Sequence, residues 1–311
     1  MAHPLGANDL EALRRGIRRR RVGDRVFAVF GWACMAVGLV TLTALLVDLA
    51  ADGLGHLRWE FLTSFPSRHP DRAGILSAWV GSLAVMAVTA AAAIPLGVAA
   101  AVYLEEYGPK NWITDVIEIS VTNLAGVPSI VFGLLALGLF VYVLDLGRSV
   151  LTGGLTLAIL VLPIVIVATR EAVRAVPFGM REAAFALGAT QWQTIWHHVL
   201  PYSLGGIATG VIIALARAIG ETAPLITIGA LTYIAFLPTS PISTTPPFLS
   251  FDWARDPFTV MPIQMFNWIS RPGTDFQGNA AAAGLVLLLM TLAMNGVAIW
   301  LRYRLRKRVR W

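Results

Sequence analysis

The sequence predicts an all-α integral membrane protein with six transmembrane helices, and three observations lead to this fold class. Of the 311 residues, 57% are hydrophobic and only 14% are charged, against roughly 25% charged in ordinary soluble domains. The mean hydropathy is +0.70. Six apolar runs each have the roughly 20 residues that a helix needs to cross the hydrocarbon core of a bilayer.

The predicted spans, in chain order, are 27–50, 76–103, 119–144, 151–169, 204–235 and 279–301. We divide the chain accordingly into a basic leader at 1–26, the first span, a transmembrane domain at 75–301 and a basic tail at 302–311. The first apolar run is longer than the core of a secretory signal, and no convincing small-residue cleavage site follows it. We therefore expect it to remain as a helix.

The distribution of positive charge predicts the orientation of these spans. Seven arginines precede the first span and six basic residues follow the last one. The segments assigned to the outer side hold six arginines, which are Arg58, Arg68, Arg72, Arg148, Arg255 and Arg271. Because basic residues concentrate on the cytoplasmic side, both termini are predicted to be cytoplasmic. Beside a span, the basic leader indicates topology and contact with anionic lipid rather than a nucleic-acid site.

The predicted cytoplasmic loop at 170–201 is the most informative part of the chain. Residues 182–199 are expected to form one short helix, and Pro201 is expected to end it before the fifth span. The residues expected to expose little bulk there are Ala183, Ala184, Leu187 and Ala189, with Gly188 allowing close backbone approach. A small-residue surface suits docking into another protein, although an amphipathic helix lying on lipid would show a similar pattern.

The stretch "EAAFALGATQWQTIWHHVLP" resembles the EAA loop of ABC-importer permeases. The matching residues are Glu182, Ala183, Ala184, Gly188, Leu200 and Pro201. His198 departs from the pattern, because the family usually has isoleucine at that position. The resemblance implies that this loop contains the coupling helix, which inserts into a cleft of a cytoplasmic ATPase.

The sequence has no nucleotide-binding P-loop of its own. Its only lysines, Lys110 and Lys307, do not occur in a G-K-[ST] context. We therefore expect no cofactor on this chain. The ATP and magnesium that the resemblance implies would bind to a separate ATPase. With one cysteine, Cys34, and no His or Cys cluster, neither an internal disulfide nor a metal site is predicted. No catalytic constellation is predicted either, so the chain is expected to be a transport subunit rather than an enzyme.

The stretch "ALARAIGETAPLI" places two charged residues, Arg217 and Glu221, near the middle of the predicted fifth span. Each charge costs about 2.5–3.5 kcal/mol at a helix centre on insertion scales, and Pro224 predicts a kink beside them. A structural salt bridge is one interpretation. The other is an anion pathway, because a guanidinium suits tetrahedral oxyanions and a neighbouring carboxylate can accept the proton of hydrogen phosphate, which sulfate lacks. Thr222, Asn123 and Ser129 are weaker pathway candidates, since such groups usually satisfy helices.

Three stretches together resemble the PstA-type permease of the phosphate ABC importer over residues 75–301. They are "ALARAIGETAPLI", "TNLAGVPSIVFGLLALGLF" (122–140), and "MPIQMFNWI" with the apolar run after it. The resemblance implies a type I ABC-importer permease fold and import of phosphate by alternating access. It also implies a PstC-like sister permease, two ATPase subunits and an external phosphate-binding protein.

Other functions stay open at this point. They are an ABC permease for sulfate or molybdate, an ion-driven secondary transporter with Arg217 and Glu221 as a proton relay, and a membrane scaffold without transport. The predicted outer loop at 236–278 would either contact an external partner or serve as a plain surface loop.

Overall fold

The computed structural model describes residues 7–241, 248, 250–272 and 274–308, and the chain divides into two units, Met1–Ala51 and Asp52–Trp311. Helix α1 (Ala7–Gly53) makes up the described part of the first unit. Its residues from 23 to 48 are all exposed. Their apolar side chains, such as Phe27 and Trp32, are those of a helix made for a lipid or protein environment.

The second unit is also helical. Its helices are α2 (Trp59–Thr63), α3 (Leu76–Val102), α4 (Trp112–Leu124), α5 (Ser129–Ala136), α6 (Val150–Arg174), α7 (Phe178–Ala186), α8 (Gln191–Thr194), α9 (Leu200–Ile219), α10 (Ala223–Thr227), α11 (Met261–Ile269) and α12 (Gln277–Arg308). A π-helical turn at Tyr103–Tyr107 extends α3, another at Leu137–Val143 extends α5, and a third at Ile195–Val199 joins α8 to α9. The described residues contain no β-strand, so the predicted all-α class is confirmed.

Five helical segments are long and apolar enough to cross a membrane, namely Gly23–His56, Leu76–Tyr107, Val150–Arg174, Gln191–Ile219 and Gln277–Arg304. A sixth span results if the bent pair Trp112–Leu124 and Ser129–Val143 is counted as one. The predicted number of six spans agrees with this count, whereas two of the predicted spans are not the continuous helices that we expected.

The predicted third span, 119–144, is broken in the structure. Helix α4 ends at Leu124, α5 begins at Ser129, and the two helices are bent by 106°. Pro128 explains the break, because its ring disfavours a helical conformation at Val127 and it has no N–H for the hydrogen-bond ladder.

The predicted fifth span, 204–235, is wrong at both ends. The helical segment begins at Gln191 and stops at Ile219, and the short helix α10 follows after a break at 220–222. Pro224 lies in the first turn of α10, where a missing N–H is tolerated. Arg217 is therefore in the last turn of α9 and Glu221 in the break, rather than at the centre of a lipid-length helix.

The core of the second unit lies where α3, α6 and α9 meet. Val85, Leu157, Val161 and Ala214 are all fully buried there. Small residues let the backbones approach: Gly154 of α6 contacts Val88 of α3, and Gly210 of α9 contacts Ala168 of α6. Such contacts are the usual way in which helices associate in lipid. Gly210 thus serves helix packing.

The predicted outer loop at 236–278 contains more structure than a surface loop would. Helix α11 lies within it, and Met261, Ile263 and Trp268 of that helix are fully buried. The amide of Met261 donates to the Ser82 hydroxyl of α3 at 2.9 Å. This part of the loop is therefore an integral piece of the second unit. Residues 242–247, 249 and 273 lie outside the described part of the chain.

Candidate functional site

The segment that resembles a coupling loop folds as two helices separated by a sharp turn. Helix α7 covers Phe178–Ala186, and a capping box at Thr190 and Gln193 starts α8. The predicted single helix at 182–199 is therefore wrong. Pro201 does not end an element either, because it lies in the first turn of α9 and the π-helical turn Ile195–Val199 accommodates it.

Gly188 makes the turn between these two helices possible. Its φ is +81°, a backbone conformation that residues with a side chain seldom adopt. The Gly188 N–H donates to the Phe185 carbonyl and the Ala189 N–H donates to the Ala184 carbonyl, which together form a Schellman motif. Nothing lies within 4 Å of a Cβ built at Gly188. The glycine therefore serves the conformation of the chain, while its close approach to a docking partner stays a prediction.

The surface of α7 offers apolar groups for docking. Phe178, Phe185 and Leu187 are exposed, the last by 90% of its surface. Leu187 thus exposes far more bulk than we predicted, whereas Ala184 is buried. Glu182 and Ala183 are exposed, and Ala189, Leu200 and Pro201 are half-buried. Glu182 has no ion-pair partner among the residues that the structure describes.

Arg217 and Glu221 lie together at the break after α9. The Arg217 Nε lies 3.6 Å from Glu221 Oε1, and the two side chains are 43% and 20% exposed. This separation meets the criterion for an ion pair but is too long for a good hydrogen bond. Within the described part of the chain, no other hydrogen bond or ion pair of the Arg217 guanidinium is found. Most of its five N–H donors are therefore available to a ligand.

The other predicted pathway residues lie on elements near this break, but not in one cluster. Thr222 immediately precedes α10, which packs on α5, where Gly133 contacts Pro224 and Thr227. Ser129 is the first residue of α5 and is half-buried. Asn123 lies at the end of α4, where it lines an open cleft of about 550 Å³ with Asp115, Glu118, Ile119 and Thr122. Among the described residues, neither Ser129 nor Asn123 hydrogen-bonds to Arg217 or Glu221.

Sequence reasoning missed a group of charged residues beside α7, which we call the ion-pair cluster. Its members are Glu105, Glu106, Glu118, Arg170, Arg174 and Arg181. The strongest pair joins Arg181 Nη2 of α7 to Glu106 Oε1 at 2.6 Å, with both side chains nearly buried. The partners are between 52 and 75 positions apart in the chain, so no local sequence pattern could have predicted them.

Multiple apolar spans with a helix that exposes apolar side chains between two of them are the architecture of a membrane transport permease, and the comparisons with known proteins agree. The chain belongs to the family of binding-protein-dependent transport system inner membrane components, which matches residues 93–311.

Several named proteins are similar to this chain over two thirds of its length or more. The phosphate transport system permease protein PstA of Yersinia pestis is 32% identical over 294 residues, 93% of each chain. PstA of Mycobacterium leprae is 39% identical over 212 residues, 67% of this chain and 69% of that protein. The probable ABC transporter permease protein YqgI of Bacillus subtilis is 30% identical, with coverage of 93% and 98%. The resemblance to PstA-type permeases is thereby confirmed.

The fold also resembles a solved ABC transporter. The MetNI methionine ABC transporter in an inward-facing conformation aligns with a TM-score of 0.54 and 15% identity, over 72% of this chain and 94% of that one. At this identity the likeness concerns the fold alone. Fold and family together make this chain a multi-pass permease subunit of an ABC importer, a transport subunit that works with other permease, ATPase and substrate-binding subunits.

Proposed function

We propose that this chain forms one half of a pathway that imports inorganic phosphate into the cytoplasm. Its partners in this proposal are a PstC-like sister permease, two ATPase subunits and an external phosphate-binding protein. The PstA relatives at 32% and 39% identity support the substrate. The predicted orientation, with both basic termini in the cytoplasm of the cell, belongs to the same proposal.

The observation that carries the proposal is the state of Arg217. Its guanidinium is 43% exposed and holds Glu221 only loosely, at 3.6 Å. A planar guanidinium with free donors binds a tetrahedral oxyanion through two parallel hydrogen bonds. Glu221 then accepts a hydrogen bond from the protonated oxygen of hydrogen phosphate, while the fully ionised sulfate offers no such proton. Thr222, Ser129 and Asn123 are secondary pathway groups in this proposal.

In the proposed cycle, the movement of the ATPase is passed to this chain through the coupling helix α7. ATP binding closes the ATPase pair, and α7 moves with the cleft in which its exposed Phe178, Phe185 and Leu187 are docked. The spans then rock between inward-open and outward-open states, and the break at 220–222 is presented to each side in turn. ATP and magnesium act in the partner ATPase, and this chain contributes the pathway and the docking helix.

Reconstituted uptake tests this proposal. The chain is co-expressed with its sister permease and ATPase, placed in liposomes, and supplied with binding protein, ATP and labelled phosphate. We expect uptake that requires ATP, resists excess sulfate and is abolished by Arg217→Ala. The matched control is Arg302→Ala, because Arg302 donates to Thr209 of the same helix α9 at 2.8 Å but lies away from the break.

Each other result would change a different part of the proposal. Uptake that survives Arg217→Ala would make Arg217 and Glu221 a structural pair. Equal losses in the two arginine variants would indicate a general weakening of α9. Inhibition by sulfate or molybdate would assign the pathway to another oxyanion, and uptake driven by a proton gradient without ATP would favour a secondary transporter.

A further inference from the structure

Helix α4 is exposed along its length and has few side-chain bonds to the rest of the second unit. None of its residues is buried, and most of its apolar side chains, including Trp112, Val116 and Ile119, are exposed. The hydroxyls of Thr114, Ser120 and Thr122 bond within α4 or to the turn before it. Among the described residues, Glu118 is the one side chain of α4 that forms an ion pair or hydrogen bond with another helix.

The partner of Glu118 is Arg170 at the end of α6, whose Nη1 lies 2.8 Å from Glu118 Oε1. The Arg170 side chain is nearly buried, and its Nη2 also lies 3.4 Å from Glu105 Oε2 in the turn that extends α3. Arg174 of α6 contacts the same carboxylate at 3.1 Å. Arg170 therefore joins three helices from a nearly buried position, and α4 is one of them, through a Glu118 side chain that is 38% exposed.

The other end of this cluster reaches the coupling helix. Glu106, next to Glu105 in the same turn, pairs with Arg181 of α7. The Arg181 guanidinium also donates to the carbonyls of Val176 and Val173, at 2.8 and 3.1 Å. The backbone carbonyl of Glu106 accepts a hydrogen bond from the Gln191 amide of α8. Both sides of the coupling turn are thus bound to the end of α3.

Helix α4 in turn leads to the break that contains Arg217 and Glu221. The turn at 125–128 joins it to α5 at an angle of 106°, and α5 packs on α10 through Gly133, which contacts Pro224 and Thr227. A continuous series of ion pairs and packed helices therefore connects α7 to α10. A connection of this kind can carry coupling between distant sites when its parts move together between two arrangements.

We propose that Glu118 and Arg170 are positioning residues that make α4 follow the coupling helix, so that ATP-driven movement of α7 is transmitted through α4 and α5 to the break after α9. This inference rests on the proposed function for its consequence in transport. The joint movement of α4 and α7 as one body requires only the ABC permease architecture. It does not depend on which substrate is transported.

The test measures the distance between α4 and α7 directly. In a Cys34→Ser background, spin labels are placed at Trp112→Cys and Ala186→Cys, two exposed positions, in the complex with the ATPase. We expect one narrow distance distribution whose mean is the same without nucleotide and with bound ATP. Glu118→Lys, which places a second cation beside Arg170, is expected to broaden the distribution and to make it differ between the two states.

The matched control is Asp115→Lys, the same charge change three residues earlier on α4, where Asp115 is exposed and has no ion-pair partner in the described part of the chain. It is expected to leave the distances as they are. In reconstituted uptake, Glu118→Lys is expected to lower transport about tenfold, within the usual range of coupling effects. The basal ATPase activity is expected to stay that of the unsubstituted complex, and Asp115→Lys should change neither quantity.

Two results would overturn the inference. One is a distance between α4 and α7 that already changes with ATP in the unsubstituted complex. The other is a distribution that Glu118→Lys leaves unaltered, or alters no more than Asp115→Lys does. If Glu118→Lys does not assemble with the ATPase, the same criteria apply to Glu118→Gln, which removes the charge without adding repulsion. Because these distances do not depend on the transported ion, a failure here is distinguishable from a failure of phosphate specificity.

Discussion

Two arginines of this chain, Arg181 in α7 and Arg217 at the break after α9, are held in opposite ways. Arg181 lies 2.6 Å from Glu106, both side chains are only 11–12% exposed, and two backbone carbonyls accept further bonds from the guanidinium. Arg217 lies 3.6 Å from Glu221 and is 43% exposed. The first guanidinium is almost fully satisfied by the protein, whereas most donors of the second have no acceptor among the residues that the structure describes.

This difference separates a structural charge from one that is available to a ligand. A buried pair with satisfied donors fixes geometry, and removing one partner leaves the other charge buried without compensation. A loose and exposed pair contributes little to stability, so its presence in an apolar region needs another reason. Arg181 therefore fits the connection between helices, and Arg217 fits the pathway.

The largest expected effect is on stability, from Arg181→Ala. Loss of this guanidinium leaves Glu106 nearly buried and unpaired, a situation that typically costs about 3–5 kcal/mol. We expect a much lower thermal midpoint for the purified permease and poor assembly with the ATPase. Arg217→Ala is the comparison, since an exposed pair four residues apart contributes only about 0.3–0.5 kcal/mol. Similar midpoints in the two variants would contradict the distinction between the two arginines.

The next effect concerns substrate binding and uses Arg217→Lys. Lysine keeps the charge but lacks the planar fork, so the oxyanion loses its paired hydrogen bonds. We expect the KM for phosphate to rise about tenfold or more, which corresponds to at least 1.4 kcal/mol, while the thermal midpoint stays unchanged. Kinetics of ATP-driven uptake in liposomes measure this. A KM equal to that of the unsubstituted protein would mean that charge alone suffices at this position.

How far the sequence predicts this molecule can be seen at particular residues. Apolar length predicted the number of spans, and the charge pattern singled out Arg217 and Glu221, because lipid makes a charge inside an apolar run conspicuous. Pro224 correctly predicted a disturbance beside them. Length alone, however, cannot tell a continuous helix from one that Pro128 or Pro224 divides, and both broken spans were therefore predicted as whole.

The contacts between distant segments were beyond sequence reasoning for a physical reason. Glu106 and Arg181 are 75 positions apart. The turn Tyr103–Tyr107 places Glu105 beside α6 and Glu106 beside α7, and its position depends on how α3 packs against α6. The EAA-like spacing is a local pattern, so sequence reasoning could single out this segment, and its docking role stays a prediction. Its internal turn was missed because Gly188 was interpreted as a packing residue, although a glycine just after a helix often adopts positive φ.

A smaller effect is expected at Gly188, and it tests the coupling side without changing a charge. Gly188→Ala places a side chain at a φ of +81°, which costs about 1–2 kcal/mol for an ordinary residue. We expect weaker binding of the ATPase, measured as the dissociation constant of the solubilised complex, with normal folding of the spans. Gly188→Asn should restore most of the affinity, because asparagine tolerates this conformation. Equal losses for alanine and asparagine would mean that the backbone conformation is not the cause.

Gly179→Ala serves as the control for that variant. Gly179 lies inside α7, its φ is not positive, and nothing lies within 4 Å of an added Cβ. Alanine is a better helix former than glycine by about 1 kcal/mol. We therefore expect this variant to bind the ATPase at least as well as the unsubstituted chain. A loss of affinity here would indicate that α7 docks through the surface around Gly179 rather than through the geometry of its end.

The smallest expected effect is a change in selectivity, from Glu221→Gln. In the proposed pathway the carboxylate accepts a hydrogen bond that hydrogen phosphate donates and sulfate cannot, whereas the amide carries no charge and also donates. One hydrogen bond contributes about 0.5–1.5 kcal/mol net, so inhibition of phosphate uptake by sulfate should strengthen only a few-fold. The thermal midpoint should not change, because the pair with Arg217 is loose.

Glu221→Asp keeps the carboxylate and should keep the selectivity. If sulfate still does not inhibit the Glu221→Gln variant, Glu221 does not recognise the protonated oxygen of the substrate. Arg217 then binds oxyanions without distinguishing between them.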